Sequence, residues 1–399
     1  MLFYLNSESL MVTCLSTYIV IWMQKQLVIS KQISEQMKAA VVCQATDPYK
    51  FEEVELAEPK NDEVLVRITA SGLCHTDEFG RTLGMSPIVL GHEGAGIIEK
   101  LGENVKDFAV GDHVAFSYAF CGHCKSCVQG RPQYCEKFNE INFGGVGADG
   151  QSKLSQNGQP VAMFFGQSSF AQYATISEES IVKIDEDVDL AMITPFGCGV
   201  QTGAGAVLNT LRPHIDETLA VFGCGAVGFS AIMAAKVAGC RQIIAVGGNE
   251  HSLALAKELG ATDVINRKQL PADQTMAQAV QAISNGGVNY AIDTSGNGNM
   301  IQNAIQSTCL NGKIVLLAPS GEVENFDFGK DVLMAYRTVI GCCEGDSNPK
   351  IFIPRLVQLY KEGRFPIDKI ITKYPFEQLE QAREDSNAGK VIKAVVTME

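Results

Sequence analysis

The stretch LAVFGCGAVGFSA, residues 219–231, decides the fold of this chain. Its first letters form a short apolar run typical of a buried strand, and the residues that follow it show a helical pattern. Gly223, Gly225 and Gly228 stand at the junction in G-x-G-x-x-G spacing. In such a unit the first glycine permits a tight turn, the second lets a pyrophosphate approach the backbone, and the third lets the helix pack on the strand. The stretch therefore predicts a dinucleotide site on a parallel sheet, whereas the same letters without a strand and a helix would indicate only a turn.

The pattern of the chain changes near Leu219. Residues 38–193 consist of short β segments such as EVLVRITASG and GDHVAFS, separated by Gly and Pro. After the glycine stretch, the apolar runs QIIAV, DVIN, YAIDT and KIVLLA alternate with helical stretches, which is typical of a doubly wound parallel sheet. The chain ends on another strand pattern, VIKAVVTM. We therefore predict an α/β domain inserted into a β-rich domain, with divisions at 37–199, 200–342 and 343–399.

The bulk properties limit the classes of partner. A chain of 399 residues suits two domains, and its net charge of −13 argues against nucleic acid or an anionic membrane as a partner. The apolar run at residues 11–22 is shorter than the roughly 20 residues of a membrane-spanning helix, and no secretory signal is evident. We predict a cytoplasmic protein in which residues 1–36 are a poorly ordered extension or reflect a start site assigned too far upstream.

Four cysteines lie close together in CGHCKSCVQGRPQYC, residues 121–135. Such a cluster can be a disulfide knot, a redox pair or a metal site, and disulfides are rare in cytosolic proteins. The spacing C-x2-C-x2-C-x7-C suits a closed tetrahedral zinc site, which leaves no position open for a substrate. The sequence therefore predicts a structural zinc that holds this loop in shape, with the ligands Cys121, Cys124, Cys127 and Cys135.

A zinc ion that takes part in catalysis needs three protein ligands and one open position. The candidates are Cys74 in SGLCHTD, His92 in GHEGAG and Cys198 in FGCGVQTG. Taken singly, each is weak evidence, because a buried cysteine is usually a small core residue. The motifs around these residues are more specific than the residues themselves.

GLCHTD, GHEGAG, the four-cysteine loop, GCGVQTGAGAVLN and VFGCGAVG occur in this order, and together they resemble the zinc-dependent alcohol dehydrogenases of the medium-chain dehydrogenase/reductase family. The resemblance runs from about Met37 to Glu399, and MFFGQSSF and EGDSNPKIFIPRL resemble its aryl-alcohol (benzyl-alcohol) branch. It implies a Rossmann-type domain inserted in a GroES-like catalytic domain, two zinc ions per chain, and NAD(P). It also implies reversible hydride transfer between a primary alcohol and its aldehyde, and a homo-oligomer, either a dimer or a tetramer.

The resemblance assigns roles around the catalytic zinc. Cys74, His92 and Cys198 are its ligands, and Glu93 lies behind the metal, where it completes the group of metal-site residues. Asp77 hydrogen-bonds the free nitrogen of His92 and fixes its tautomer. The alternative is that the two carboxylates are ordinary surface charges.

Further roles concern the cofactor and the proton. Thr76 accepts the proton of the alcohol and passes it to the cofactor ribose, unless it merely caps a helix. His75 contacts the pyrophosphate, Val227 presses on the nicotinamide and Thr202 holds its carboxamide side. Lys393 reaches a phosphate, or is an ordinary solvated lysine.

The substrate is expected to be an aryl or allylic alcohol. Phe164 and Phe165 fall where relatives place substrate-facing side chains, although two adjacent phenylalanines also occur in any core. Many relatives carry a histidine three residues past the relay hydroxyl, and this chain has Phe79, so no general base is assigned. The alternatives are a glutathione-dependent formaldehyde dehydrogenase, a short-chain aliphatic alcohol dehydrogenase, or a catalytically silent relative that binds a cofactor.

The segment IIAVGGNEHS, residues 243–252, bears on the choice of cofactor. NAD-specific relatives place an acidic residue at the end of this strand, where it binds the ribose hydroxyls and repels a 2′-phosphate. This chain has Gly247, followed by Gly248 and Asn249. The missing carboxylate favours NADP or the use of both cofactors, but no Arg stands in the usual place for the phosphate, and only Asn249, His251, Ser252 and, further along, Arg267 could bind it. A pocket that simply tolerates the loss and still uses NAD is the alternative.

Overall fold

The fold is described from a computed structural model, which defines residues 35–319, 322–324 and 326–398. Apart from its last two residues, the predicted extension at residues 1–36 lies outside these ranges. No helix within them is long and apolar enough to cross a membrane.

The described residues form eighteen strands and eleven α-helices. The strands are β1 (Glu35–Val42), β2 (Lys50–Leu56), β3 (Glu63–Gly72), β4 (Ile88–Val89), β5 (Glu93–Leu101), β6 (His113–Phe116), β7 (Leu154–Gln156), β8 (Gln159–Val161), β9 (Tyr173–Ser177), β10 (Ile181–Ile184), β11 (Thr218–Phe222), β12 (Gln242–Gly247), β13 (Asp263–Asn266), β14 (Val288–Asp293), β15 (Thr308–Leu316), β16 (Thr338–Gly341), β17 (Ile371–Pro375) and β18 (Lys393–Thr397). The helices are α1 (His75–Arg81), α2 (Lys125–Val128), α3 (Phe138–Phe143), α4 (Leu190–Ile193), α5 (Gly199–Gly205), α6 (Ala226–Ala238), α7 (Glu250–Leu259), α8 (Met276–Ile283), α9 (Gly298–Gln306), α10 (Pro349–Lys361) and α11 (Leu379–Asn387).

Six parallel strands form one sheet in the order β13-β12-β11-β14-β15-β16. Successive residues of β11 point to opposite faces, so Leu219 and Val221 join one core cluster while Ala220 and Phe222 join another. Side chains of α6 and α7 belong to the first cluster, and side chains of α8 and α9 belong to the second. Both faces are therefore covered, and the predicted doubly wound α/β fold is confirmed.

Two further sheets make up the β-rich part. One has five strands in the order β4-β1-β2-β7-β8, and the other has seven, with β10-β6-β5-β3-β18-β17 in a row and β9 paired to β3. The last strand of the chain runs antiparallel to β3, with Val395 opposite Gly72 and Thr397 opposite Ala70. The C-terminus thus completes a sheet that the N-terminal half began, and the parallel sheet is an insertion between them, as the sequence predicts.

Candidate active site and nucleotide pocket

One buried carboxylate, Asp77, links the segments that carry two of the candidate ligands. The backbone N–H of Cys74, at the start of α1, donates to Asp77 Oδ2 at 2.9 Å. Oδ1 lies 2.8 Å from His92 Nδ1 and accepts the N–H of Gly91 at 3.1 Å. Asp77 and His92 are both buried. The structure therefore brings them together, and the carboxylate orients the imidazole and the start of α1 at once.

The ligand atoms of Cys74, His92, Glu93 and Cys198 all lie within 4.8 Å of one another. Nε2 of the fully buried His92 has no hydrogen-bond partner, which is unfavourable unless this nitrogen binds something. The pKa of the Cys74 thiol lies well below its ordinary value, because Cys198 hydrogen-bonds its sulfur and the charge of Lys393 adds to this effect. Two sulfurs and one free imidazole nitrogen are a donor set that fits a zinc ion with one position left open.

Glu93 lies behind this cluster in a buried ion pair. Its Oε2 is 2.5 Å from Lys393 Nζ, and its Oε1 accepts the N–H of Gly199 at 3.3 Å. Lys393 also donates to the carbonyl of Leu73 at 2.7 Å and is 3% exposed. Lys393 is therefore not the ordinary solvated lysine of the alternative, and its contact with a cofactor phosphate stays a prediction. Its ammonium is buried, and moving it away would leave the carboxylate of Glu93 buried without its charged partner.

The four-cysteine loop brings its sulfurs to metal-binding distances. The ligand atoms of Cys121, Cys124, Cys127 and Cys135 all lie within 4.8 Å of one another, with Sγ–Sγ distances of 3.5 Å for Cys124–Cys127 and 4.0 Å for Cys121–Cys127. Four sulfurs around a tetrahedral zinc are about 3.8 Å apart, whereas a disulfide would need about 2.05 Å. Backbone N–H groups of Glu136 and Cys127 lower the pKa of Cys124 to about 6. The loop fits a closed zinc site better than a disulfide.

An aromatic wall borders the imidazole of His92. The ring centroids of Phe165 and Phe164 lie 4.6 Å and 5.6 Å from that of His92. Phe143 packs on Phe165 at 5.2 Å, and Phe79 packs on Phe143 at 5.7 Å. Phe79 is 47% exposed, so the wall extends from the surface to the buried cluster. Sequence reasoning missed Phe143, because INFGG is not a site motif.

The three glycines between β11 and α6 each meet a different steric demand. Gly223 has φ +114°, and a Cβ there would clash with Thr294 Oγ1. A Cβ on Gly228 would clash with the carbonyl of Gly223, so this glycine allows the helix to lie against the turn. A Cβ on Gly225 would meet no atom within 4 Å. The turn is thus a cradle open at Gly225, at a helix N-terminus that attracts phosphate.

Helix α5 connects this cradle to the cysteine–histidine cluster. It begins directly after Cys198, and a Cβ on Gly199 would lie 3.6 Å from Val227 Cγ2 and 3.7 Å from Glu93 Oε1. Thr202 is buried on the same helix. A dinucleotide with its phosphates at the glycine turn can therefore reach the cluster by passing over α5.

A cavity of about 320 Å³ lies at the carboxyl ends of the parallel strands, where doubly wound sheets bind ligands. It is bordered by the glycine turn, by Gly247, Gly248 and Asn249, and by Arg267. A Cβ on Gly248 would lie 3.1 Å from Arg267 Nε, so the guanidinium lies directly beside this glycine. Among the described residues, no acidic side chain lines the cavity.

Comparison with known proteins agrees with this geometry. A family profile described as "Alcohol dehydrogenase GroES-like domain" matches residues 60–186, and one described as "Zinc-binding dehydrogenase" matches residues 226–362. The chain is 39% identical to a geraniol dehydrogenase from Castellaniella defragrans over 90% of its own length and 97% of the relative. The chain belongs to the zinc-dependent medium-chain alcohol dehydrogenases. It is therefore an oxidoreductase of a family for which zinc and NAD(P) are typical, with a GroES-like catalytic part and a Rossmann-like sheet.

Two other relatives are named for different substrates. A probable S-(hydroxymethyl)glutathione dehydrogenase from Schizosaccharomyces pombe is 36% identical over 90% of this chain and 97% of its own length. The crystal structure of a benzyl alcohol dehydrogenase from Acinetobacter calcoaceticus superposes with a TM-score of 0.85 at 39% identity, covering 92% of this chain and all of that one. Membership of the alcohol dehydrogenases thus leaves the substrate open.

The remaining predicted residues of this alcohol dehydrogenase lie around the cluster. Thr76 Oγ1 is 3.6 Å from Cys74 Sγ, while His75 is exposed at the start of α1. Thr202 donates to a carboxylate of Glu344 at 3.3 Å. The segment EGDSNP contributes to the resemblance, but the sequence predicts no role for Glu344, because nothing local to that segment places it beside Cys198.

Proposed function

We propose that this enzyme oxidises primary aryl or allylic alcohols and reduces the corresponding aldehydes, with one zinc ion at Cys74, His92 and Cys198 and a second at the four-cysteine loop. The observation that carries the proposal is the unpartnered Nε2 of His92, which lies within 4.8 Å of two cysteine sulfurs on a ring that packs against an aromatic wall. When bound there, zinc supplies Lewis-acid polarisation of the alcohol oxygen, which makes loss of hydride to NAD(P) easier.

The chain's own residues orient the reactants. Asp77 holds Nδ1 of His92, which leaves Nε2 free to bind metal. Thr76, 3.6 Å from the sulfur of Cys74, is close enough to take the proton of an alcohol bound at this point. Phe79 has no group that carries a proton, so the relay beyond Thr76 ends in water or in another group rather than in a side chain at that position.

The aromatic wall supports a planar apolar substrate. Rings of Phe164 and Phe165 border His92 and Phe143 packs on Phe165, and ring contacts add to simple burial for an aryl or allylic alcohol. The glutathione adduct of formaldehyde carries carboxylates, which require cationic or hydrogen-bonding partners rather than rings. Ethanol is too small to use the wall. The geometry therefore favours the aryl substrate over both alternatives.

The substrate class is tested with Phe165→Ala, which removes the ring nearest His92. We expect kcat/KM for benzyl alcohol to exceed that for ethanol in the unchanged enzyme, and the variant to reduce this ratio about tenfold, since an aromatic pair contributes about 0.5–1.5 kcal/mol beyond burial. A panel of benzyl alcohol, ethanol and S-hydroxymethylglutathione gives the measurement.

Ethanol is the internal control, because a general loss of structure lowers both rates equally. Phe165→Leu, which leaves a smaller cavity, replaces the alanine variant if that protein is unstable. Preference of the unchanged enzyme for ethanol or for the glutathione adduct, or an unaltered ratio in both variants, would remove the aryl assignment.

We also propose NADP, or both cofactors, as the hydride acceptor. A carboxylate that would repel a 2′-phosphate is missing at Gly247, and the guanidinium of Arg267 lies beside Gly248 at the edge of the cavity. Arginine binds phosphate through paired N–H donors, so this side chain can serve as the partner that the end of β12 lacks.

Arg267→Ala is expected to raise the KM for NADP by about 10- to 100-fold, the range of a hydrogen bond to a charged group of about 1.5–3 kcal/mol, while the KM for NAD changes little. Kinetics with both cofactors give the measurement. Arg241→Ala is the matched control, because Arg241 lies at the opposite end of β12. Gly247→Asp is a poorer test, since its Cβ would lie 2.9 Å from Cys224 Sγ. A hundredfold preference of the unchanged enzyme for NAD would refute the proposal.

The homo-oligomer and the cytoplasmic location stay predictions. Exposed apolar side chains lie around the edge strand β16, at Leu310, Leu333, Met334 and Tyr336, each about 70% exposed. An apolar surface of this kind supports association with a second copy of the chain, which the molar mass in solution would check.

A further inference from the structure

A carboxylate with spare acceptor capacity, Glu344, lies beside the cysteine–histidine cluster. Its Oε2 accepts hydrogen bonds from Thr202 Oγ1 and Gln201 Nε2, each at 3.3 Å. Its Oε1 faces the Sγ of Cys198 at 3.9 Å, and a thiol is a weak donor. Glu344 does not belong to the group of ligand atoms formed by Cys74, His92, Glu93 and Cys198. One of its oxygens is therefore available to a ligand that brings an N–H or O–H.

The backbone around Glu344 is held in an uncommon conformation. Three consecutive residues have positive φ: Glu344 at +47°, Gly345 at +67° and Asp346 at +48°. A run of left-handed residues is unfavourable for non-glycine side chains and persists only where its surroundings enforce it. The surroundings here do so, because Tyr134 Oη and Thr210 Oγ1 donate to the two oxygens of Asp346 at 2.6 Å and 2.7 Å.

Further contacts fix the same turn against α5 and the residues that follow this helix. Asn209 Nδ2 donates to the carbonyl of Gly345 at 3.0 Å, and Ser347 Oγ donates to Gln201 Oε1 at 2.7 Å. A Cβ on Gly345 would clash with the carbonyl of Gln201, so the turn lies in direct contact with the helix. The carboxylate of Glu344 is thus carried on a preorganised support rather than on a mobile loop.

The expected path of the cofactor ends at this carboxylate. The phosphates fit the glycine turn at Gly225, and α5 lies between that turn and His92. Hydride transfer requires the nicotinamide ring next to the alcohol, and hence next to Cys198 and His92. The carboxamide is the polar substituent of that ring, and its NH2 group brings two donors. The side chain of Glu344 lies beside Cys198 there, and Thr202 donates to it.

We propose that Oε1 of Glu344 accepts a hydrogen bond from the carboxamide NH2 of the nicotinamide, and that this bond fixes which face of the ring is turned toward the zinc site. Glu344 is then a cofactor-binding residue that positions the ring. The inference rests on the proposed function, because it requires a nicotinamide dinucleotide at this site.

The test compares two cofactors that differ only at this substituent. In 3-acetylpyridine adenine dinucleotide a methyl group replaces the NH2, so the donor is lost while the carbonyl is kept. Dissociation constants of both are measured by calorimetry on the zinc-loaded enzyme without substrate, in the NAD or NADP series that binds more tightly. We expect the unchanged enzyme to bind the carboxamide cofactor about tenfold or more tighter than the acetyl analogue.

Glu344→Gln separates this role from a structural one. The amide oxygen of the new glutamine can still accept from Gln201 and Thr202. Its NH2 group then takes the place of Oε1 and faces the NH2 group of the carboxamide, so two donors meet and no hydrogen bond forms. The preference for the carboxamide cofactor should fall at least fivefold. Glu344→Asp keeps the charge but withdraws it from the ring, and the same fall is expected, which covers the case that the glutamine variant does not fold. Glu362→Gln, on an exposed glutamate at the end of α10, should keep the preference of the unchanged enzyme.

The outcomes distinguish a failure of this inference from a failure of the proposed function. Equal weakening of both cofactors in the variants would leave the preference unchanged, and it would overturn the inference while the proposed function stands. Failure of the unchanged enzyme to bind either dinucleotide would overturn the proposed function as well. A preference that falls in the Glu344 variants and not in Glu362→Gln supports the hydrogen bond.

Discussion

Cys74→Ser is expected to remove turnover while the protein stays folded and still binds its dinucleotide. A serine hydroxyl is a much poorer zinc ligand than a thiolate near neutral pH, and the loss of even an outer partner of a metal site costs about 10- to 100-fold. We therefore expect kcat to fall by more than about 100-fold. The parallel sheet and the glycine turn do not involve Cys74, so the dissociation constant of the dinucleotide should change little.

The matched control for this variant is Cys43→Ser, which changes an exposed cysteine of the β-rich part. It should keep full activity. Zinc content separates the two sites: two ions per chain are expected in the unchanged enzyme and in the control, and one in Cys74→Ser. An active Cys74→Ser enzyme that holds two zinc ions would contradict the assignment of Cys74 as a ligand.

The glycine turn and the parallel sheet were predictable because their causes are local. Gly223, Gly225 and Gly228 meet steric demands within a few residues of themselves, and the alternation of short apolar runs with helical stretches follows from burial on both faces of the sheet. The four-cysteine loop is similar, since its spacing alone brings four sulfurs together. For these parts, the local order of residues was sufficient to predict the structure.

The buried position of Lys393 and its ion pair with Glu93 were not predictable in this way. Lys393 lies at the start of the last strand, and the pairing of β3 with both β18 and β5 brings its ammonium to Glu93, 300 positions earlier in the chain (393 − 93). A lysine in such a place looks like any solvated lysine in the sequence. The same limit applies to Glu344, whose partners Gln201 and Thr202 lie 143 and 142 positions earlier in the chain.

The catalytic cluster falls between these two cases. Cys74, His92 and Cys198 were selected through resemblance, because their spacing along the chain does not fix a common centre. The fold brings them together since β3 ends before Cys74, β5 begins after His92, and α5 begins after Cys198. Asp77 then ties the first two through both of its oxygens. The signal for Asp77 was its position in GLCHTD, and its double contact is visible only in three dimensions.

Cys124→Ser is expected to lower the stability of the fold before it affects anything else. A structural zinc site contributes folding free energy, about 10–16 kcal/mol in zinc-finger peptides near neutral pH, and a closed site that loses one of four thiolates gives up a large part of its share. We expect a clearly lower Tm, a lower yield of folded protein and the loss of one zinc ion per chain. Thermal unfolding and zinc content are the measurements.

This loss should extend to the active site through one hydrogen bond. Tyr134, the residue before Cys135, donates to Asp346 at 2.6 Å and so supports the turn that carries Glu344. Tyr134→Phe is the matched control, because it removes this hydroxyl and keeps all four sulfurs. It should retain two zinc ions and nearly the original Tm but weaken binding of the dinucleotide. Cys124→Ser should both lower the Tm and weaken binding of the dinucleotide, and the fall in Tm should be the first and larger effect. If Cys124→Ser instead lost activity at an unchanged Tm, as Cys74→Ser is expected to do, the four-cysteine loop would not be a structural zinc site.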